Sequence, residues 1–206
     1  MEDKILDELK ERIFSILLKQ IDIIDFENWL YSQNEIIDFI ESDKFVYDLI
    51  TINYKEENAY QLLKSKAFEK FKYQEYIILV IGINCNKILL QNNWDDVYKL
   101  FYEIYGFFDY DQEYGLMWRF YSINSRMDLI EIGYETETSI YKEIKELSQR
   151  IINQLKDLST ANERVKFLEN GFENVKKVKT KKENFVLKNS IKEKNGMSFG
   201  NKKPRK

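Results

Sequence analysis

The sequence predicts an all-α protein, with a single multi-helix bundle-like domain followed by a basic, poorly ordered C-terminal tail. Two observations favour this fold class. Apolar residues recur at steps of three and four along most of the first 170 residues, as they do on one face of an α-helix. No regular series of strand-like segments alternates with them, which argues against a βαβ sheet.

In the first 71 residues, spacing and capping residues predict five helices. The first covers residues 3–20, where apolar side chains recur at steps of 3, 4 and 3: Leu6, Leu9, Ile13 and Ile16. Asp25, Asn34 and Asp43 are each expected to cap a shorter helix, because Asp and Asn side chains accept hydrogen bonds from first-turn amides. The fifth helix covers residues 56–71, and a brief strand at residues 50–54 is less favoured.

The second half of the domain is expected to pack around its most apolar segment. Residues 73–91 predict a buried central helix that ends at the Asn92-Asn93 pair. Aromatic residues then recur at steps of 3 and 4 on both sides of residues 107–111, which predicts two antiparallel aromatic helices. After a break at residues 130–134, a long helix is expected through Leu158, capped by Thr136 or Thr138, and a weaker helical pattern follows from residue 160 to 175.

Charge divides the chain into an acidic helical domain, residues 1–170, and a basic C-terminal tail, residues 171–206. The domain holds 20 Lys or Arg against 32 Asp or Glu, a formal charge of −12, whereas the tail holds 12 against 3, a charge of +9. An acidic body repels nucleic acid and favours basic partners. The tail lysines that could contact a polyanion are Lys176, Lys177, Lys179, Lys181 and Lys182. Alternatively, the tail is a solvated extension that folds back on its own acidic body.

Composition excludes several classes of catalytic site. The chain has no His and a single cysteine, Cys85, so Ser-His-Asp and Cys-His mechanisms, His-containing zinc sites and intrachain disulfides are excluded. Phosphate-binding glycine loops are also absent, and we expect no cofactor and no metal. The longest apolar run, residues 77–83, is too short to cross a membrane, and the N-terminus does not resemble a signal peptide. These features favour a cytoplasmic protein with no membrane partner.

The richest candidate site lies in residues 92–121, which hold 12 of the chain's 31 aromatic residues. Most of these aromatics are expected in the core, but exposed tyrosines beside carboxylates make a good protein-binding surface. The predicted partner-binding residues are Asp95, Asp96, Tyr102, Glu103, Asp109, Tyr110, Asp111, Glu113 and Tyr114. A calcium-loop interpretation starting at Asp109 fails, because Tyr114 and Phe120 occupy the positions that need Gly and Glu.

Two further residue patterns favour structural interpretations. Glu143-Ile-Lys145 matches the E-x-K pattern of some metal-dependent nucleases, but it stands in a helical segment, so surface ion pairs at helical spacing are the better interpretation. Cys85 stands in the most apolar segment and is expected to be a small buried hydrophobic residue.

Residues 25–66 carry a pattern shared with a known class of proteins. The first part is F-E-x-W-[VLI]-Y, and after a short acidic helix the second part runs from a Tyr through a Leu-Ile pair to a Tyr-Lys pair. The residues are Phe26, Glu27, Trp29, Leu30 and Tyr31, then Tyr47, Leu49, Ile50, Tyr54 and Lys55. This resembles small, acidic, mostly helical immunity proteins of bacterial polymorphic-toxin and contact-dependent inhibition systems. The resemblance implies that Trp29 and Tyr31 fix helix packing; the basic tail after Gly171 departs from that pattern.

Together, the residues and the resemblance favour a non-catalytic immunity-type protein that binds and occludes a cognate basic toxin, such as a nuclease. The alternative is a nucleic-acid-associated accessory protein that uses the basic C-terminal tail. A third class, an enzyme that works with carboxylates alone, would need paired carboxylates in a deep apolar cleft.

Overall fold

The computed structural model describes residues 3–107 and 114–172 of the chain. Within these residues the protein is all-α, with ten helices and no β-strand. The helices are α1 (Asp3–Leu17), α2 (Ile23–Ser32), α3 (Asn34–Ile37), α4 (Lys44–Ile50), α5 (Ala59–Lys70), α6 (Tyr73–Leu90), α7 (Trp94–Tyr105), α8 (Met117–Glu131), α9 (Glu137–Lys156) and α10 (Ala161–Asn170). None of these helices is long and apolar enough to span a membrane.

Helix α6 is the centre of the fold, as its composition predicts. Tyr76 and Val80 of α6 belong to a first hydrophobic cluster with α1 to α5, whereas Ile77 and Ile81 belong to a second cluster with α7 to α10. Because the buried apolar residues of α6 lie on two sides of the helix, both sides must be covered, since exposed apolar surface costs free energy in water. Helix α6 therefore contributes buried residues to both hydrophobic clusters and lies between them.

The capping predictions for the first half are confirmed at one position and wrong at two. The Asp43 carboxylate accepts a hydrogen bond from the Phe45 amide at 2.9 Å and starts α4. Helix α2 begins at Ile23 because Asp22, not Asp25, accepts from the Ile24 amide at 2.8 Å, which leaves Asp25 in the first turn. Asn34 is inside α3, which is only four residues long and has no side-chain cap.

Aromatic side chains hold the short N-terminal helices together. The Tyr31 hydroxyl donates to the Ile50 carbonyl at 3.0 Å and ties α2 to α4. The guanidinium of Arg12 on α1 lies 4.1 Å from the Trp29 ring centroid. The Tyr60 hydroxyl, on α5, donates to the Leu17 carbonyl at 2.9 Å. Trp29 and Tyr31 therefore make contacts between helices, as expected of residues that fix helix packing.

The long C-terminal helices are predicted well, apart from the start of α8. Thr136 caps α9, and Thr160 with Glu163 forms a complete capping box at α10. The second aromatic helix begins at Met117 rather than near residue 110, because Tyr114 packs into the second hydrophobic cluster ahead of the helix. The basic tail after residue 172 lies outside the described residues.

Helix α10 is joined to the start of α8 by backbone hydrogen bonds. The Gly115 amide donates to the Glu169 carbonyl at 2.8 Å, and the Leu116 amide donates to the Leu168 carbonyl at 3.1 Å. A Cβ on Gly115 would lie 2.8 Å from the Asn170 carbonyl carbon, which is closer than van der Waals contact allows. This junction therefore requires glycine at position 115.

We expect Gly115→Ala to lower the free energy of unfolding by about 1–3 kcal/mol, because backbone atoms on both sides must move apart. Chemical denaturation followed by circular dichroism would measure this. Gly106→Ala is the matched control: its Cβ would meet no atom closer than 3.4 Å, so stability should stay the same or rise by up to about 1 kcal/mol. Equal stability of the two variants would contradict the close-approach argument.

Candidate partner-binding surface

Four aromatic side chains form a continuous row along α7, which we call the aromatic ladder. Its members are Trp94, Tyr98, Tyr102 and Tyr105, at steps of 4, 4 and 3, so they share one face of the helix. Successive ring centroids are 5.5, 4.6 and 5.9 Å apart. Tyr98 is 37% exposed and Tyr102 is 42% exposed, so the middle of the ladder faces solvent.

The ladder lies beside the buried face of α7, because other residues of the helix already occupy that face. Val97, Phe101 and Ile104 are fully buried, and the Phe101 ring packs 5.7 Å from the Phe120 ring of α8. Only one face of an amphipathic helix can enter the core, so the neighbouring tyrosines stay at its edge. The aromatic excess of α7 therefore leaves a surface of rings.

Helix α8 extends this surface. Four of its positions recur at steps of 3, 4 and 3 along one face: Trp118, Tyr121, Ser125 and Asp128. Ile132, directly after the helix, continues this row. The Trp118 and Tyr121 rings are 5.3 Å apart, and Trp118 is exposed. Asp128 interacts electrostatically with Tyr98 of the ladder. We call the ladder together with this α8 stripe the aromatic face.

Hydrogen bonding, partial burial and charge keep the Tyr98 phenol of the ladder neutral. A hydrogen bond with the Tyr102 hydroxyl, together with partial burial and the nearby Asp128 carboxylate, raises the pKa of Tyr98 to about 12. The Tyr98 phenol is therefore protonated at physiological pH, and its hydroxyl is already hydrogen-bonded to Tyr102. This combination of flat rings, phenol hydroxyls and a carboxylate is suited to binding a protein surface.

The structure divides the predicted site residues between two sides of α7. Asp95 is exposed and seven residues before Tyr102, so both lie on the ladder side. Glu103 lies on the opposite side, facing α6, where its Oε2 accepts from Asn84 Nδ2 at 3.3 Å. Asp96, seven residues before Glu103, shares that side and bonds the capping residue Asn93.

One predicted contact residue is wrong, and others cannot be placed. Tyr114 is only 6% exposed, because its ring belongs to the second hydrophobic cluster, so it offers no contact surface. The remaining predicted residues lie outside the described part of the chain: Asp109, Tyr110, Asp111 and Glu113, and the tail lysines Lys176, Lys177, Lys179, Lys181 and Lys182.

Sequence reasoning missed three exposed apolar residues at one end of the bundle. Leu90 is 78% exposed, Ile132 64% and Tyr134 82%, the highest values among the exposed large hydrophobic residues of the described chain. Leu90 ends α6, while Ile132 and Tyr134 connect α8 to α9. The α6 end contacts α9, since the Tyr141 hydroxyl donates to the Gln91 carbonyl at 3.2 Å. We call Leu90, Ile132 and Tyr134 the apolar tip.

The apolar tip could be anticipated only from the turn signals beside it. Leu90 precedes the Asn92-Asn93 pair, and Ile132 and Tyr134 flank Gly133, whose φ of 76° marks a turn. Apolar residues next to turns are ambiguous in sequence, because a turn can fold them inward or leave them in solvent. The Arg126 guanidinium fixes this turn through Glu135, with Nε to Oε1 at 2.9 Å.

The E-x-K residues have structural roles, but not the predicted ones. Glu143 pairs with Arg126 of α8 rather than with a residue of its own helix. Lys145 Nζ donates to the Leu89 carbonyl at 3.1 Å and also to the Gln91 carbonyl, which closes the C-terminus of α6. The intrahelical ion pair on this segment is Lys142 with Glu146, at 3.8 Å.

No family model matches the chain. No curated protein or solved structure matches it either. A functional interpretation must therefore come from the surface and its chemistry.

Three features of the described residues bear on catalysis. They contain no group of three or more His, Cys, Asp or Glu placed to hold a metal ion. A groove of about 420 Å³ between α8 and α9 is lined by Glu143 and Glu146, but Arg126 and Lys142 pair with these carboxylates. Cys85 is buried, and burial raises the pKa of its thiol to about 12, so the thiol is inert at neutral pH.

Replacing Lys145 with Met should lower the free energy of unfolding by about 1–3 kcal/mol, because the partly buried Leu89 carbonyl loses its side-chain donor and the Gln91 carbonyl keeps only the Tyr141 hydroxyl. Lys142→Met, one turn earlier on the same helix, should change it by less than about 0.5 kcal/mol, since its ion pair is exposed. Denaturant titration of both variants would measure the difference. A stable Lys145→Met protein would contradict the capping role.

Proposed function

We propose that the protein is a non-catalytic, immunity-type protein that binds a basic toxin and occludes its functional site. The observation that supports this is the aromatic face with the apolar tip, a solvent-exposed surface that is rich in rings and carboxylates. Tyr and Trp are over-represented among residues that contribute most to protein binding. The acidic domain would add long-range attraction for a basic partner.

The proposed mechanism is occlusion. Tyr98, Tyr102 and the tip residues would supply contact area, while Asp95 and Asp128 would pair with basic groups that otherwise hold a phosphate backbone. Complementary charge mainly accelerates association and selects the partner, whereas buried aromatic contacts slow dissociation. Fast capture suits a protein that must neutralise a toxin before it acts.

The test is capture of a partner encoded next to this protein's gene. We expect the full chain to co-purify with the product of an adjacent or co-transcribed gene, and Tyr98→Ala and Tyr102→Ala each to weaken that complex by about ten-fold or more, in keeping with a loss of about 2 kcal/mol at a central aromatic. Calorimetry or surface plasmon resonance would give the affinities. The association rate should also fall as salt is raised.

Tyr47→Ala is the matched control, because Tyr47 is similarly exposed but lies on α4, within the first-cluster half of the fold. Its affinity should equal that of the unmodified chain. Failure to form a complex with any co-encoded protein would count against the proposed function. Equal effects of the Tyr47 and Tyr102 variants on affinity would instead show that the partner does not bind specifically at the aromatic face.

A further inference from the structure

We propose that residues 181–194 of the chain's own tail bind across the aromatic face as far as the apolar tip in the free protein. The inference concerns the protein without a partner, so it stands whether or not the proposed function is correct. If a partner uses the same face, the segment would compete with it.

Charge favours this location. The exposed carboxylates along the face and around the tip belong to Asp95, Asp128, Glu131 and Glu137. Among the described residues, none of these four forms an ion pair with a Lys or Arg. The segment 181–194 holds five Lys and two Glu, a net charge of +3. The exposed bases next to these acids or the tip residues in the chain are Lys87 and Lys99, so acids outnumber bases by four to two. The surface and the segment are therefore complementary in net sign.

Hydrophobicity favours it as well. The segment carries four apolar residues between its lysines: Phe185, Val186, Leu187 and Ile191. The apolar tip exposes the largest fractions of apolar side chain in the described chain. Covering such side chains is favourable by about 25 cal/mol per Å² of apolar area removed from water. A segment with both lysines and apolar residues matches a face with both carboxylates and exposed rings.

The length of the chain allows the contact. Phe172, the last described residue, lines the same cleft as Trp118, at the start of the α8 stripe, and its ring packs 5.3 Å from the Phe167 ring. Helix α8 has 15 residues, so the tip is about 22 Å further along at 1.5 Å per residue. Residues 173–180 can span about 26 Å when extended, which brings residue 181 within reach of the tip.

The larger groove of the molecule fits the segment less well. This groove, about 700 Å³ in volume, lies between α1, α6, α9 and α10. Its charged lining residues are balanced in sign, with three acids and three bases: Asp7, Glu11, Glu75, Lys10, Lys156 and Arg164. Lys10 already pairs with Asp7 at 3.1 Å and with Glu75 at 3.2 Å. A basic segment gains nothing electrostatically there.

The test is paramagnetic broadening in the full-length protein. A nitroxide is attached to the Tyr134→Cys variant, and amide signals of the tail are recorded by NMR; the buried Cys85 thiol remains unlabelled. We expect the amides of residues 181–194 to lose most of their intensity. The same label on Ser65→Cys, an exposed position of α5 in the other cluster, should leave them intact. High salt should restore part of the lost intensity.

Two further measurements decide between the outcomes. Adding Leu90→Ser and Ile132→Ser to the Tyr134 variant should restore the signals, and both positions are exposed enough that the fold should be retained. The proposal would be overturned by any of three results. These are no broadening, equal broadening from both labels, or broadening that stays the same after the serine substitutions. Broadening in a mixture of labelled and isotope-labelled chains would also overturn it, since the contact would then involve a second copy.

Discussion

The need to bury the apolar residues of α6 on two sides determines the arrangement of the other helices. Eight of the 18 residues of α6 are buried, and they lie on more than one side of the helix, so a single neighbouring layer could not cover them. Helices α1 to α5 cover one side of it, and α7 to α10 cover the other. Because a single helix contributes to both clusters, a change in its packing would be felt on both sides.

The candidate surface is a consequence of the same constraint. Helix α7 covers α6 through Val97, Phe101 and Ile104, and this leaves its additional aromatics beside the core rather than in it. Exposed rings in a row are costly unless something covers them, and large exposed apolar patches usually mark interaction sites. The tail segment and the proposed basic partner would both occupy this face, so partner binding and self-contact would be mutually exclusive.

Sequence reasoning was most successful where local physics is decisive. The caps at Asp43 and Thr136 and the buried α6 follow from hydrogen-bonding geometry and apolar content, which act within a few residues. It failed where tertiary contacts decide. Asp22 and Asp25 are equally good caps in isolation, and only Tyr102, not Tyr114, is left in solvent once α8 has packed. Whether Leu90, Ile132 and Tyr134 are buried or exposed likewise depends on how the two turns that carry them pack against neighbouring helices.

The junction between Gly115 and α10 has a consequence for the order in which the protein folds. All buried members of the first cluster are present once α6 has been synthesised, since Val80 is the last of them and only the half-buried Phe107 is added later, whereas the second cluster requires Leu168. Contacts that join distant parts of the chain form late, since their loops are costly to close. During translation, one side of α6 would be covered while the other still awaits α10, and that interval is when the chain is most exposed to aggregation.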